Sequence, residues 1–152
     1  MNSCINPFAP SIDENLGSET GLISDQTTVE GVFQNLKYAY TFKDTSIYSQ
    51  LLDKDFTFSY RDYDIAADVS WGRDEEMMIT YNLFESTQSL NLVWNDIVAV
   101  SGDSSSITRS FDLTITYSAD AIDYVTGKVI FGLIKDSDQK WKIRSWYDDS
   151  DY

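Results

Sequence analysis

The sequence contains no histidine, a single cysteine, and no phosphate-binding or metal-binding motif. Without imidazole, the commonest general base is missing, and so are Ser-His-Asp sites, Cys-His sites and histidine-ligated metals. A lone cysteine cannot form an intramolecular disulfide bond. These absences predict no cofactor and no metal, and they leave carboxylates and phenols as the main groups for acid–base chemistry.

Basic residues and long apolar runs are also scarce. The chain has 11 Lys and Arg against 25 Asp and Glu, which gives a net charge of −14. Nucleic acids and anionic lipid headgroups are bound by Lys and Arg that displace counterions, so this surface repels both. No apolar run approaches the ~20 residues that span a bilayer. We therefore expect no nucleic-acid partner, and membrane contact only through a covalent anchor.

Aromatic residues are abundant by contrast. Of the 152 residues, 42% are hydrophobic and 14% are aromatic, which is far from a disordered composition. This length suits one domain with a proper core. The aromatic content favours a sheet-rich fold with a substantial interior or cavity.

The first 26 residues differ from the rest of the chain. Both prolines, Pro7 and Pro10, lie in this segment, and no Lys or Arg precedes Lys37. Such a composition is typical of a linker rather than of a folded element. The sequence therefore predicts a flexible tether at residues 1–26 and one domain at residues 27–152.

Three segments upstream of residue 87 have apolar residues at helical spacing. They predict helices at about Thr27–Lys43, Thr45–Leu52 and Arg73–Ser86. Thr27 and Glu30 fit a capping box at the start of the first helix. Acidic residues 74–76 occupy the first turn of the third helix, where negative charge complements the helix dipole. The predicted inward face of this third helix consists of Met77, Met78, Tyr81 and Phe84.

Alternating apolar and polar residues predict strands around residues 56–60, 90–94, 107–119, 129–133 and 141–147. Polar turns at Gly102–Ser106 and Asp136–Lys140 separate the later strands. The predicted core residues of these strands are Phe58, Leu113, Ile115 and Ile143. Helices followed by strands predict an α+β domain, with the helices on one face of a curved antiparallel sheet.

Two short segments resemble marks of the NTF2-like (SnoaL-like, cystatin-type cone) superfamily. They are Leu51-Leu52-Asp53-Lys54-Asp55-Phe56, where a helix runs into a strand, and Trp141-Lys142-Ile143 in the final strand. The resemblance extends from about Thr27 to Asp149. It implies N-terminal helices packed on a strongly curved antiparallel sheet that encloses a conical cavity. Enzymes of this superfamily place acid–base residues, Asp–His or Tyr–Asp, inside the cone.

The start of the chain resembles the mature N-terminus of a bacterial lipoprotein. The segment Cys4-Ile5-Asn6-Pro7-Phe8-Ala9-Pro10 has a cysteine followed by a proline-containing tether. The resemblance implies lipidation at Cys4 and a location in the cell envelope, on the periplasmic or outer surface. Only residues 1–3 precede Cys4, which is far shorter than a signal peptide. The alternative is an incidental cysteine in a cytoplasmic protein.

Strand alternation and the conical cavity together predict a set of cavity residues. From the sheet these are Tyr60, Trp94, Arg109, Tyr117 and Tyr147, and from the third helix Tyr81. A carboxylate buried among such aromatic rings would have a raised pKa and could act as a base. Asp62, Asp64 and Asp96 are the acids predicted near the cavity mouth, but their spacing singles out none of them as catalytic.

The outer face of the sheet is a second candidate surface. Alternation places Trp146 with Arg144, opposite Trp141 and Ile143. A tryptophan on the outer face, beside Thr114 and Thr116, suggests burial against a partner protein or a second copy of the chain. The alternative is that the C-terminal tail covers Trp146.

These observations leave three functions open. The first is a non-enzymatic binding or scaffold domain of an envelope lipoprotein, whose cone or outer face binds a small apolar molecule or a partner protein. The second is a His-free isomerase, cyclase or hydrolase that uses an Asp–Tyr pair in the cone. The third is a structural homodimer module. A desolvated carboxylate within hydrogen-bond reach of a tyrosine hydroxyl would favour the second function over the first.

Overall fold

A computed structural model describes residues 23–151, and it contains three helices. They are α1 (Val29–Phe42), α2 (Thr45–Leu51) and α3 (Arg73–Ser86). All three were predicted, with differences only at the ends. Thr28, not Thr27, caps α1, because its hydroxyl accepts a hydrogen bond from the Gly31 amide at 3.0 Å.

Six strands form one open sheet that the helices cover on one face. Their bounds are β1 (Leu52–Asp62), β2 (Ala67–Gly72), β3 (Ser89–Val100), β4 (Ser106–Ser118), β5 (Ala121–Lys135) and β6 (Trp141–Asp151). The strand order is β2-β1-β6-β5-β4-β3. All neighbouring pairs are antiparallel except β1 and β6, which are parallel. The α+β cone is confirmed, but the sheet is mixed rather than purely antiparallel.

Strand β2 has no counterpart among the strands predicted from the sequence. The carboxylate of Asp62 accepts hydrogen bonds from the amides of Asp64 and Ile65, which turns the chain back on itself. Residues 67–72 then pair with β1, with Phe58 opposite Trp71. The two rings stack with their centroids 4.8 Å apart, so the second strand extends the aromatic inner face.

The core lies between the helices and the concave face of the sheet. Of the predicted core residues, Phe58, Ile115 and Ile143 are buried, whereas Leu113 is half-buried. The largest fully buried side chains come from every layer of the fold and include Phe33, Leu36, Tyr48, Leu51, Phe131 and Ile143.

Strand β6 contains a β-bulge that changes which side chains face the core. Ile143 pairs with Leu133, but Ser145 pairs with Gly132, so Arg144 is an extra residue on β6. As a result, Ile143 and Trp146 both face inward, although simple alternation places them on opposite faces. The prediction that Trp146 lies on the outer face is therefore wrong. Its side chain is only 7% exposed and belongs to the core.

The ordered domain includes residues just before the predicted boundary at Thr27. Gln26 is buried, and its side-chain amide donates hydrogen bonds to the carbonyl oxygens of Gln50 at 3.1 Å and Trp141 at 2.8 Å. The Ser24 amide also donates to Asn35 Oδ1 at 2.6 Å. The remainder of the predicted tether, residues 1–22, lies outside the described residues, and so does Cys4.

Candidate functional site

A cavity of about 530 Å³ lies between the helices and the concave face of the sheet. Its walls are mostly apolar, with residues such as Leu92, Ile115 and Val129 from the sheet and Leu36 from α1. Aromatic rings from both ends of the sheet complete it: Phe58, Tyr60, Trp71, Trp94, Phe111 and Trp146. Its size and lining are those of a pocket for one small molecule.

Three of the six predicted cavity residues line this space. They are Tyr60 on β1, Trp94 on β3 and Tyr117 on β4. Trp94 is held in place because its indole N–H donates to the Phe33 carbonyl oxygen at 3.0 Å. Each residue lies on the concave face of its strand, as alternation predicted.

Arg109 also faces α1 but does not line the cavity. Its guanidinium carbon lies 4.8 Å from the ring centroid of Phe33 and 5.8 Å from that of Trp94. The same guanidinium donates to the Asn95 carbonyl oxygen at 2.9 Å and to Glu30 at 3.2 Å. Arg109 therefore fixes α1 on the sheet through cation–π contacts and hydrogen bonds rather than forming the binding surface.

Tyr147 and Tyr81 were predicted in the cavity but lie outside it. The bulge at Arg144 moves Tyr147 to the opposite face of β6 from Trp146. Tyr81 is 52% exposed, because α3 is rotated relative to the predicted inward face. The predicted mouth acids Asp62, Asp64 and Asp96 do not line the cavity either.

The rotation of α3 brings Glu76 into the cavity wall. Glu76 is only 4% exposed, and Thr80, one helical turn later, lies beside it and is also buried. Glu76 Oε2 accepts hydrogen bonds from Tyr48 Oη at 2.5 Å and from Thr80 Oγ1 at 3.0 Å. Its Oε1 accepts a hydrogen bond from Trp71 Nε1 at 2.7 Å. The carboxylate thus receives three donors from three different elements.

Tyr48 lies behind Glu76, away from the cavity lining. Burial, together with the neighbouring Tyr40 and Glu76, raises the pKa of the Tyr48 hydroxyl well above its ordinary value. The phenol therefore stays protonated and donates to Glu76. This cluster was not predicted from the sequence, because three acids in a helix's first turn are normally solvated. The available signal was the spacing of Glu76, Thr80 and Phe84, which puts them on one helical face.

Two further carboxylates line the cavity from the sheet. Asp148 on β6 is the register partner of Tyr60 on β1 and of Val129 on β5, and it follows Trp146 on the same inner face. Asp123 on β5 is exposed and lies opposite Ile115. Asp148 was not predicted as a site residue because its inward orientation depends on the β6 bulge.

Trp146 adds a polar atom to the same wall. Its indole N–H is buried and has no hydrogen-bond acceptor among the described residues. Buried donors are nearly always paired, with protein, water or ligand. The N–H itself has almost no accessible surface, so it lies inside the wall rather than on the surface that a bound molecule would contact.

Within residues 23–151, no group of three or more His, Cys, Asp or Glu side chains has an arrangement that could hold a metal ion. None of the helices in this part of the chain is long and apolar enough to cross a membrane.

Comparison with known proteins finds similarity in structure alone. No family profile matches the sequence, and no curated protein matches it either. Many solved structures do match the fold. One is the Kfla4162 protein of Kribbella flavida, with a TM-score of 0.67 and 12% identity over 89% of this chain and 93% of that one.

Two other structures are informative. A provisionally named scytalone dehydratase from Novosphingobium aromaticivorans has a TM-score of 0.67 and 12% identity, covering 93% of this chain and 89% of its own. An NTF2-like protein of unknown function from Exiguobacterium sp. 255-15 has a TM-score of 0.59 and 14% identity, covering 79% and 98%. Identities this low establish the shared architecture and not a shared activity. The chain has the NTF2-like fold.

Proposed function

We propose that the protein is a binding domain whose cone holds one small, largely apolar molecule. The observation that carries this proposal is the cavity of about 530 Å³, with its aromatic and aliphatic walls. A cavity of this kind stabilises a ligand by removing apolar surface from water, at roughly 25 cal/mol for each Å² buried. A few polar groups in an otherwise apolar wall would orient the ligand.

The environment of Glu76 supports binding rather than acid–base catalysis. Both of its oxygens already accept hydrogen bonds, from Tyr48, Thr80 and Trp71. A catalytic base has to reach the proton that it removes, at about 2.6–3.2 Å. Because the protein's own donors occupy Glu76, we assign it to the support of the cavity wall.

A fluorescent neutral probe, N-phenyl-1-naphthylamine, tests the proposal. Wild-type protein should bind it with increased fluorescence. Leu113→Trp, which fills the cavity from β4, should abolish the increase, and Val125→Phe on β5 gives a second block. Thr114→Trp is the matched control, since Thr114 lies next to Leu113 but on the outer face. Binding that is unchanged in folded forms of both blocked variants would contradict the proposal.

A second candidate function is acid–base catalysis without histidine. The Glu76–Tyr48 pair meets the geometric condition of a desolvated carboxylate hydrogen-bonded to a tyrosine, although Tyr48 does not line the cavity. Asp148 and Tyr60 do line it and are register partners on adjacent strands. A carboxylate there could remove a proton next to a carbonyl group, while the tyrosine hydroxyl donates to the developing oxyanion.

Proton exchange at the α-carbon of 2-tetralone in D₂O, followed by NMR, tests this candidate. Catalysis predicts an exchange rate above that of buffer with wild-type protein, and loss of the excess in Asp148→Asn and in Tyr60→Phe. Asp149→Asn, which removes an exposed neighbouring charge, is the control. An excess that survives in Asp148→Asn would contradict a role for this pair.

We also propose that the domain is the ligand-binding part of a bacterial envelope lipoprotein anchored at Cys4. The support is the sequence resemblance of the first ten residues to a mature lipoprotein start, followed by a proline-containing tether. Lipidated protein, expressed with its native leader, should partition into detergent, and Cys4→Ser should remain in the aqueous phase. Aqueous behaviour of both forms would contradict lipidation.

A partner on the outer sheet face is the remaining alternative. Thr114 and Thr116 lie on this face, directly opposite Tyr124 and Ile122 of β5, and Tyr124 is 72% exposed. Arg144 is exposed at the bulge, where its Nη2 lies 3.9 Å from Asp55 Oδ2. If a second copy binds this face, sedimentation should show a dimer that Tyr124→Glu disrupts and Tyr63→Glu, at another exposed tyrosine, does not.

A further inference from the structure

The charge of the cavity lining is strongly one-sided. Among the described residues that line it, three are carboxylates (Glu76, Asp123 and Asp148), and none is a Lys or Arg. Arg109, the cationic residue that the sequence predicted in the cavity, is turned toward Glu30 and Asn95 instead. A low-dielectric wall strengthens the attraction between a carboxylate and an opposite charge inside it, so the lining favours a cation and disfavours an anion.

The three carboxylates differ in their position around the cavity. Glu76 is only 4% exposed and lies on α3, enclosed by Tyr48, Thr80 and Trp71. Asp123 is exposed on β5. Asp148 is half-buried and lies between Tyr60 on β1 and Val129 on β5, two residues beyond Trp146. Asp148 is therefore the carboxylate whose position suits a charged group that is held inside the cone.

The walls around Asp148 are suited to a cation as well. Trp146, Tyr60 and Phe58 share the inner faces of β6 and β1, and the rings of Phe58 and Trp146 lie with centroids 5.6 Å apart. The faces of aromatic rings attract ammonium groups within about 6 Å, and clusters of rings bind quaternary ammonium ligands. Aromatic faces and a carboxylate together form a recognition surface for an apolar amine.

We infer that the ligand of this cone is a lipophilic amine, protonated at neutral pH, whose ammonium group pairs with Asp148 among the aromatic rings. This inference rests on the proposed function, because it specifies the class of molecule that the same cavity binds.

Three probes with one ring system separate charge from shape: 1-naphthylmethylamine, 1-naphthalenemethanol and 1-naphthoic acid. Calorimetric titration of wild-type protein should show the amine binding about tenfold or more tighter than the alcohol. The acid should bind most weakly. Asp148→Asn should remove most of the preference for the amine. Asp149→Asn, which removes the same negative charge from an exposed position, should keep it.

The outcomes distinguish the inference from the function on which it rests. If the alcohol binds as tightly as the amine, the amine inference is wrong, while binding of apolar molecules in the cone stands. If none of the three probes binds, both the amine inference and the proposed function are contradicted. If Asp148→Asn does not fold, the order of the three affinities in wild-type protein alone decides the charge preference.

Discussion

Glu76 shows how a charged residue comes to be buried in an otherwise apolar wall. Removing a carboxylate from water costs several kcal/mol unless hydrogen bonds replace the lost hydration. Here a phenol from α2, a hydroxyl from α3 and an indole from β2 supply them. The cluster therefore ties three elements to one carboxylate, and the helix position of Glu76 is fixed by its donors as much as by apolar packing.

Glu76→Gln should destabilise the protein by about 1–3 kcal/mol, because an amide replaces one of the two acceptor oxygens and leaves a buried donor unpaired. Urea unfolding followed by tryptophan fluorescence measures the change. Glu75→Gln, at the exposed neighbouring position of α3, should change stability by no more than about 0.5 kcal/mol. Equal stabilities for the two variants would show that the cluster contributes little.

Asp103 provides a second residue-level test, at the turn between β3 and β4. Its Oδ1 accepts hydrogen bonds from Ser101 Oγ at 2.9 Å and from the amide and hydroxyl of Ser105 at 3.0 and 2.8 Å. These bonds, those of Ser105 first, lower the pKa of Asp103 to about 2. A lowered folded-state pKa means that the stabilisation is present above the ordinary carboxyl pKa and is lost as the pH falls through about 2.

An NMR titration of the Asp103 carboxyl carbon should give that low pKa in the wild-type protein. Ser105→Ala should move the pKa upward toward the ordinary value, because it removes one of the donors. Ser104→Ala is the matched control within the same turn, since the bonds to Asp103 come from Ser101 and Ser105. A pKa that is unchanged in Ser105→Ala would contradict the assigned cause.

At the scale of elements, β5 and β6 approach each other closely at Gly127. Gly127 pairs with Ser150, and a Cβ at position 127 would collide with the Ser150 Cα and lie only 2.5 Å from the Asp149 carbonyl oxygen. The two strands therefore approach each other more closely here than a side chain would permit. This close contact involves β6, the strand that places Trp146 and Asp148 in the cavity wall.

Gly127→Ala should destabilise the fold by about 1–3 kcal/mol, because backbone atoms of β6 would have to shift. The thermal unfolding midpoint measures it. Gly102→Ala serves as the control, since a Cβ there meets nothing within 4 Å. A midpoint for Gly127→Ala that equals that of Gly102→Ala would show that β6 can move without cost.

The elements that sequence predicted well are those specified by local signals. The helix at Arg73–Ser86 begins and ends as predicted, and the turn at Asp136 forms as expected, because spacing, caps and turn residues act over a few positions. Pairing between distant strands is not local. The parallel contact of β1 with β6 and the bulge at Arg144 arise only when the sheet assembles.

The same difference between local signals and long-range pairing explains which site residues were predicted. Tyr60, Trp94 and Tyr117 were predicted because their strands alternate regularly. Asp148 and Tyr147 exchanged faces because one extra residue in β6 reverses the alternation after it. Glu76 was not predicted because its burial depends on two donors outside its own helix, Tyr48 on α2 and Trp71 on β2.

At the scale of the whole molecule, the net charge of −14 and the apolar cone serve different purposes. The acidic surface raises the local concentration of cations, whereas the cavity favours ligands with apolar surface. A lipophilic amine has both the positive charge that the surface attracts and the apolar body that the cavity binds. An acidic exterior should therefore increase the rate at which such a molecule associates, and added salt should reduce this rate.

The boundary between tether and domain can be located by truncation. Deleting residues 1–22 should leave the thermal unfolding midpoint almost unchanged, because their composition predicts few contacts with the domain. Deleting residues 1–26 should lower it by about 5–10 °C, because this also removes the hydrogen bonds that join Gln26 to Gln50 and Trp141. Gln26→Ala in the full chain should reproduce part of that loss. If the shorter deletion lowers the midpoint as much as the longer one, residues before 23 stabilise the domain and the tether prediction is wrong.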